Sequence, residues 1–240
     1  MTHDPNYRRY AEPDMVTRRA VDAGLRQHML RVYNYMAGGL AVTGATAAFA
    51  VYSGLYATIA GTPLMWLIVL APLAIAFFLG FRIERMSLGA AQAAFWTYAV
   101  PIGLSLAGIF LVYTETSIAR VFFITAATFL GMSLWGYTTR SDITRFGSFL
   151  MMGLMGVVIA GLVNLLLGSH GLQFMISVIT VIVFTGLTAW DTQRIKEMYF
   201  AGQEPGIAGK AAILGALALY LDFINVFLSL LQLLGDRRDR

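Results

Sequence analysis

The sequence predicts an all-α membrane protein of seven transmembrane helices, and three observations carry that prediction. The first is composition. Of 240 residues, 58% are apolar and only 12% are charged, whereas a soluble domain carries about 25% charged residues. The second is a series of seven apolar runs, at 29–53, 64–81, 90–113, 118–137, 147–168, 171–191 and 211–234. Most are near the roughly 20 residues that a helix needs to cross a bilayer. The third is the placement of arginine, which gathers in alternate connections between the runs.

Taken in order, residues 1–27 form a polar, Arg-bearing segment. The apolar run behind it starts too late and runs too long for a cleavable signal peptide. The first run contains AGGLAVTGATAA, whose small residues let helices approach closely. The second and third carry Pro72 and Pro101, which membrane helices tolerate because neighbouring groups satisfy the freed backbone. The fourth opens near Arg120. The fifth holds GLMGVVIAG, again rich in small residues, and Asn164, read as a helix-packing polar group. The short turn GSHG, with an exposed His170, leads to the sixth run, which ends at Asp191. The seventh is AAILGALALYLDFINVFLSLLQLL, followed by a charged tail. The chain thus divides into a polar segment at 1–27, a membrane domain at 28–235 and a tail at 236–240. Trp66, Trp135 and Tyr199, near span ends, read as interfacial belt residues.

Positive charge sets the orientation. With a cytosolic N-terminus, the cytosolic side holds Arg8, Arg9, Arg18, Arg19, Arg26, Arg31, Arg82, Arg85, Arg140, Arg145, Arg194, Lys196 and Lys210. The other side holds Arg120 and, after seven spans, the tail GDRRDR. That tail opposes the rule, so two readings stand: seven spans with an outside tail, or six spans and a re-entrant last segment. The last run is as long as the others and has no central Gly or Pro, which favours seven. The Ala, Gly and Arg richness points to a GC-rich bacterial genome, and so to an inner (plasma) membrane.

Asp222 lies in the middle of the last run with no other charge for about ten residues on either side. An ionised Asp at bilayer depth costs a few kcal/mol or more, so it faces a partner or a wet cavity. Asp191 comes to the same side of the membrane by topology. So do Arg82 and Arg85, in FRIERMS at the end of the second run. Asn225 and Ser229 follow Asp222 at helical spacing, and Thr188 lies one turn before Asp191. Two carboxyl groups together in a low dielectric cannot both ionise freely; they share a proton. A nearby Arg favours the ionised form. Such a site responds to pH without a histidine, and it offers hard oxygens to a cation. Calcium prefers about six to eight oxygen ligands, so two carboxylates suit transit or weak binding rather than storage. The plainer readings are an interhelical hydrogen-bonding role for Asp222, an interfacial charge for Asp191, and headgroup anchors for Arg82 and Arg85.

Other classes fit poorly. There is no Cys, so thiol chemistry, thiolate metal sites and disulfides are excluded. No GxSG or HExxH motif is present, and the three His fall outside the predicted spans. The AWDTQ and YLDFI contexts lack the Tyr-Asp and Gly-x-Gly-Asp motifs of two-aspartate intramembrane proteases. The last run has no Lys for a retinal Schiff base. Seventeen basic residues against 13 acidic ones read as topology, not nucleic-acid binding. The expectation is therefore a non-enzyme with no resident cofactor.

ALALYLDFINVFLSLLQLLG, WDTQRIKEMY, RVYNYMAGGLAVTGATA and SDITRFGSFLMMGLMGVVIAGLVN together resemble the Bax inhibitor family, over about residues 28–235. The resemblance implies a seven-helix fold with the last helix central in the bundle, and a pH-sensitive calcium leak. It implies that Asp191 and Asp222 form a pH-sensing dyad. It also implies that an arginine at the cytosolic end of the second span latches the closed state, with Arg85 the better match and Arg82 the alternative. The sequence departs from the family pattern at Trp190, where a Tyr often stands, in the loop FAGQEPGIAGK, and in a second span without an acidic residue. Some bacterial members are tied to control of a membrane protease. Two functions therefore compete: a calcium or cation leak needing only lipid and ion, and a non-channel regulator of a membrane protease or other membrane partner.

Overall fold

The computed structural model describes residues 15–200 and 202–238. Seven of its helices are long and apolar enough to cross a membrane. They are α1 (Met15–Tyr52), α2 (Pro63–Arg82), α3 (Leu88–Leu106), α4 (Glu115–Thr138), α5 (Thr144–Leu167), α6 (His170–Glu197) and α7 (Pro205–Leu234). Short helical pieces at Leu55–Ile59, Ile83–Arg85 and Ile109–Val112 lie in the connections. The described residues contain no strand.

Local sequence explains the boundaries. Ser87, Thr114 and Ser169 each accept a backbone N–H from the first turn of the following helix, opening α3, α4 and α6. Prolines open α2 and α7, where their missing N–H costs nothing. Gly168 closes α5 in the left-handed region, at φ 61°, a conformation that glycine adopts without steric cost.

Four boundaries differ from the hydropathy reading by six residues or more, among them the end of α3 at Leu106 and the start of α7 at Pro205. α1 begins at Met15, inside the stretch read as a polar segment; residues 1–14 of that segment lie outside the described residues. α6 does not end at Asp191 but continues to Glu197. Hydropathy marks only the part of a helix suited to lipid. Gln, Arg, Lys and Glu continue a helix well, and Arg194 and Lys196 in the last turn complement the helix dipole.

The last helix is the centre of the bundle. In the most apolar stretch of α7, 67% of the residues are buried inside the molecule, against 6% in α5. α7 packs on α6, α1, α4 and α3, whereas α5 packs on α6 and α2 on α3. The outer faces of α2 and α5 carry exposed Trp66, Leu67, Phe81, Phe149, Leu165 and Leu166. In water such a surface would drive aggregation; against lipid chains it carries no penalty.

Seven such helices in up-and-down succession leave the start of α1 and the end of α7 at opposite ends of the bundle. The tail folds back on the α3–α4 connection. Arg237 bridges to Tyr113, Asp236 pairs with Arg120 at 3.0 Å, and Arg238 pairs with Glu115 at 3.5 Å. The last segment is therefore a full span rather than a re-entrant one. Residues 239 and 240 of the predicted tail lie outside the described residues.

Candidate functional site: a carboxyl pair between the last two helices

α7 is held in register by residues just ahead of Asp222. The Tyr220 hydroxyl donates to the Thr43 oxygen at 2.7 Å, and Thr43 donates to the Ala99 carbonyl at 3.1 Å, fixing α7 to α1 and α3. Tyr98, Phe95 and Tyr220 meet edge to face. Asp222 then lies roughly 26 Å of helical rise beyond Pro205, deeper than its place in the apolar run suggested. It is only 3% exposed.

Asp191 faces it from α6, roughly two turns before that helix ends. The two carboxyl groups lie within hydrogen-bonding reach of each other. Asp191 is half-buried. Arg194, one turn on and exposed, is the cation whose field reaches Asp191, while its guanidinium also stacks over Trp190 at 5.2 Å. Among the described residues, the charge whose field reaches Asp222 is Asp191 itself. The Asp222 Oδ2 atom is buried and has no hydrogen-bond partner. Burying an acceptor this way costs about 1–3 kcal/mol, more if charged, so an apolar side chain would pack there more cheaply.

The other expected site residues divide. Thr188 is buried beside the pair on α6 and donates to the Phe184 carbonyl at 2.8 Å. Asn225 donates to the Leu221 carbonyl at 2.8 Å, and Ser229 is buried. Arg82 and Arg85 are both exposed, and neither forms an ion pair with the aspartates in this conformation. The inner end of α2 is tied instead to α7, through Lys210 Nζ donating to the Glu84 carbonyl at 2.9 Å. Among the described residues, no group of three or more His, Cys, Asp or Glu side chains converges as a metal site would require.

Several residues beside the pair escaped the sequence reading. Thr192 donates to the Thr188 carbonyl at 2.7 Å, so its oxygen accepts from Ser133 at 2.9 Å. Ser133 in turn accepts from Tyr33 at 2.6 Å. This directed chain of hydroxyls joins α1, α4 and α6 next to Asp191. Gly136, one turn further along α4, makes the approach possible, since a Cβ there would overlap the Ala189 carbonyl. Gln193 accepts from Ile143 N–H and donates to the Ser141 carbonyl, both at 3.0 Å, fastening the α4–α5 connection to α6. In that connection, Asp142 accepts from the Thr144 hydroxyl and backbone, which holds its carboxyl below the ordinary value. His28 was placed outside the spans, but it lies in α1, buried, with its ring 5.7 Å from that of Tyr199. Tyr199 is correspondingly half-buried against α1 rather than a free belt residue.

The sequence that builds this bundle has counterparts among known proteins. The sequence profile described as "Inhibitor of apoptosis-promoting Bax1" matches residues 25–239. The chain belongs to the Bax inhibitor family. Within it, the chain is 50% identical to an uncharacterized protein of Rickettsia prowazekii over 225 residues, covering 91% of this chain and 93% of that one. It is 44% identical to the inner membrane protein YbhL of Escherichia coli K12 over 220 residues, covering 90% and 94%. It is 43% identical to an uncharacterized protein of Caulobacter vibrioides over 233 residues, covering 92% of each. This member of the Bax inhibitor family is thus a multi-pass integral membrane protein.

Proposed function

We propose that this Bax inhibitor family protein is a pH-sensitive leak for calcium or other small cations, with Asp191 and Asp222 as the proton sensor and part of the ion path. The observation that carries the reading is Asp222: a buried carboxyl at the centre of the innermost helix, facing a second carboxyl, with one oxygen unpartnered. Two carboxyl groups in contact exchange protons as a unit. In acid both are neutral; at higher pH the pair becomes an anion in a low dielectric. That anion attracts a cation and also repels its own second charge, so protonation and cation entry compete for the same oxygens. Two carboxylates offer too few ligands to hold calcium tightly, which suits transit. Calcium is the permeant ion here, not a resident cofactor.

Arg85, or failing it Arg82, belongs to the same proposal as a latch. Each lies at the inner end of α2, a helix at the edge of the bundle. The ionised pair attracts a guanidinium through short, charge-assisted bonds; acid removes the anion and releases α2. The arginines are free of the aspartates in the conformation described above, so the latch is a contact of a second state. The arginine-rich ends of the bundle support a cytosolic N-terminus and, with the E. coli relative, an inner-membrane location. Thiol labelling of Thr2→Cys and Asp239→Cys tests that orientation; modification of both from one side would sink it.

The deciding experiment is calcium flux into liposomes holding only the purified protein, followed from pH 5 to 8. Flux that varies with pH, and that loses this dependence in Asp222→Asn, is expected. Tight vesicles at every pH with folded protein would overturn the leak and favour a role that needs a partner protein.

A further inference from the structure

The carboxyl pair is one end of a longer polar feature. On α6, Gln173, Ser177, Thr180, Thr188 and Asp191 recur at spacings of three, four or eight. At about 100° per residue they fall within roughly 80° of the helix circumference. On α7, Asp222, Asn225, Ser229 and Gln232 likewise fall within roughly 80°. Contacts at both ends show that these two arcs face each other. At the inner end Asp191 meets Asp222. At the outer end, Gln232 Oε1 accepts from Gln173 Nε2 at 2.7 Å and from the Ser177 hydroxyl at 2.6 Å. Ser177, Thr180, Thr188, Asp222 and Ser229 are all buried.

The outer end opens into a cavity of about 850 Å³, lined by Tyr113, Gln173, Ser177, Gln232, Asp236 and Arg237 among others. Thr180 and Thr188 give their protons to the Ile176 and Phe184 carbonyls at 2.7 and 2.8 Å. Their hydroxyl oxygens keep lone pairs for a further partner. Phe184 occupies the one helical step of the α6 arc without a polar side chain, and it is buried. Hydroxyl and amide oxygens are the hard ligands that a small cation accepts in place of water.

We propose that the seam between α6 and α7 is the outward leg of the ion route, running from the carboxyl pair to the outer cavity, with Phe184 as its apolar plug. The proposal rests on the leak reading and adds a path to it. The lipid-facing sides of the same helices cannot serve, since Ile182, on the opposite side of α6, is 67% exposed to the surroundings of the bundle.

The absence of native cysteine makes the seam testable by position. Ser229→Cys, Thr180→Cys and the lipid-facing control Ile182→Cys are each reconstituted in oriented vesicles. A small charged methanethiosulfonate is added on the side of the outer cavity, and calcium flux is read alongside. The seam variants are expected to be modified and to lose at least fivefold of their flux on modification, while the control stays unmodified. Phe184→Ala is expected to raise flux severalfold. Wild-type flux that depends on Asp222, with no modification at either seam position or with modification and no block, would overturn the route and leave the leak standing. Vesicles tight to calcium in the wild type would overturn the leak, and the route with it.

Discussion

The two ends of the α6–α7 interface are both polar, yet they differ in kind. At the outer end, Gln173, Ser177, Gln232 and Asn164 are neutral and bonded to one another, with Asn164 donating to Gln173 at 2.9 Å and accepting from Ser169 N–H at 3.0 Å. At the inner end, Asp191 and Asp222 are ionisable, and an oxygen of Asp222 has no partner. A satisfied neutral network holds its geometry over a wide pH range. An under-satisfied pair of acids changes charge with its surroundings, and everything packed on it feels that change. The outer end holds helices together, and the inner end is the one from which the proposed leak draws its response to pH.

Substitutions that exchange these properties give the sharpest tests. Asp222→Asn keeps shape and removes the titration. It is expected to lower calcium flux about tenfold or more and to flatten its pH profile, a rise of roughly 1.4 kcal/mol or more in the permeation barrier. The same variant should keep or raise its thermal midpoint in detergent, because an amide can donate to Asp191 at any pH, whereas two carboxyl groups can bond only while they hold a proton between them. A wild-type pH profile in a folded Asp222→Asn protein would break the comparison at its inner end.

The outer end should behave in the opposite way. Gln232→Leu removes the acceptor of the Gln173 amide and leaves the Ser177 hydroxyl with the Gln173 carbonyl alone, and a cost of about 1 kcal/mol in unfolding free energy is expected. Its effect on stability should be the same at pH 5 and pH 8 when measured in a His170→Gln background, which removes the histidine that lines the same cavity, since neither the amides nor the hydroxyl titrate there. A pH-dependent stability loss would mean that the outer cluster is coupled to the acids.

Two smaller effects sharpen the inner end. Ser133→Ala breaks the Tyr33–Ser133–Thr192 chain beside Asp191 and should cost about 1 kcal/mol, read as a lower thermal midpoint in detergent. Arg85→Ala is expected to raise neutral-pH flux about twofold to fivefold if α2 is latched, and to leave acid flux unchanged. Single Ala variants at Arg82 and Arg85 and the double variant, all with wild-type neutral flux, would retire the latch.

The smallest effect belongs to Asp142 in the exposed α4–α5 connection. Its carboxyl is held below its ordinary value of 3.8 by the hydroxyl and backbone N–H of Thr144. The sign follows from linkage: that support is fully present above the ordinary value and is lost as the pH falls through the lowered one. Asp142→Ala should therefore speed amide exchange at the start of α5 at neutral pH. At a pH below the lowered value, where the wild type has lost the same bond, the two proteins should match.

The sequence by itself determined the seven helices, because lipid crossing leaves a mark in composition and run length that needs no tertiary contact. It also singled out Asp222, because a lone acid in an apolar run is costly wherever the run packs. Thr188, Asn225 and Ser229 were legible from helical spacing alone. Which helix lies at the centre was not legible from hydropathy: α5 is more apolar than α7, yet only 6% of its core stretch is buried against 67%. Lipid and protein interior are equally apolar, so hydropathy cannot separate a lipid-facing helix from an inner one, and the family resemblance alone pointed to α7. The Tyr33–Ser133–Thr192 chain and the Gln173–Gln232 contact join residues far apart in the chain, and no local periodicity pairs them. The sequence also left two arginines, Arg85 and Arg82, as candidates to meet the aspartates; the cation near Asp191 is instead Arg194, one turn on in the same helix and so a local spacing, while packing ties the turn after α2 to Lys210. Charge follows topology in the sequence, but which opposite charges meet is decided by the rotation of each helix about its own axis, and only packing fixes that.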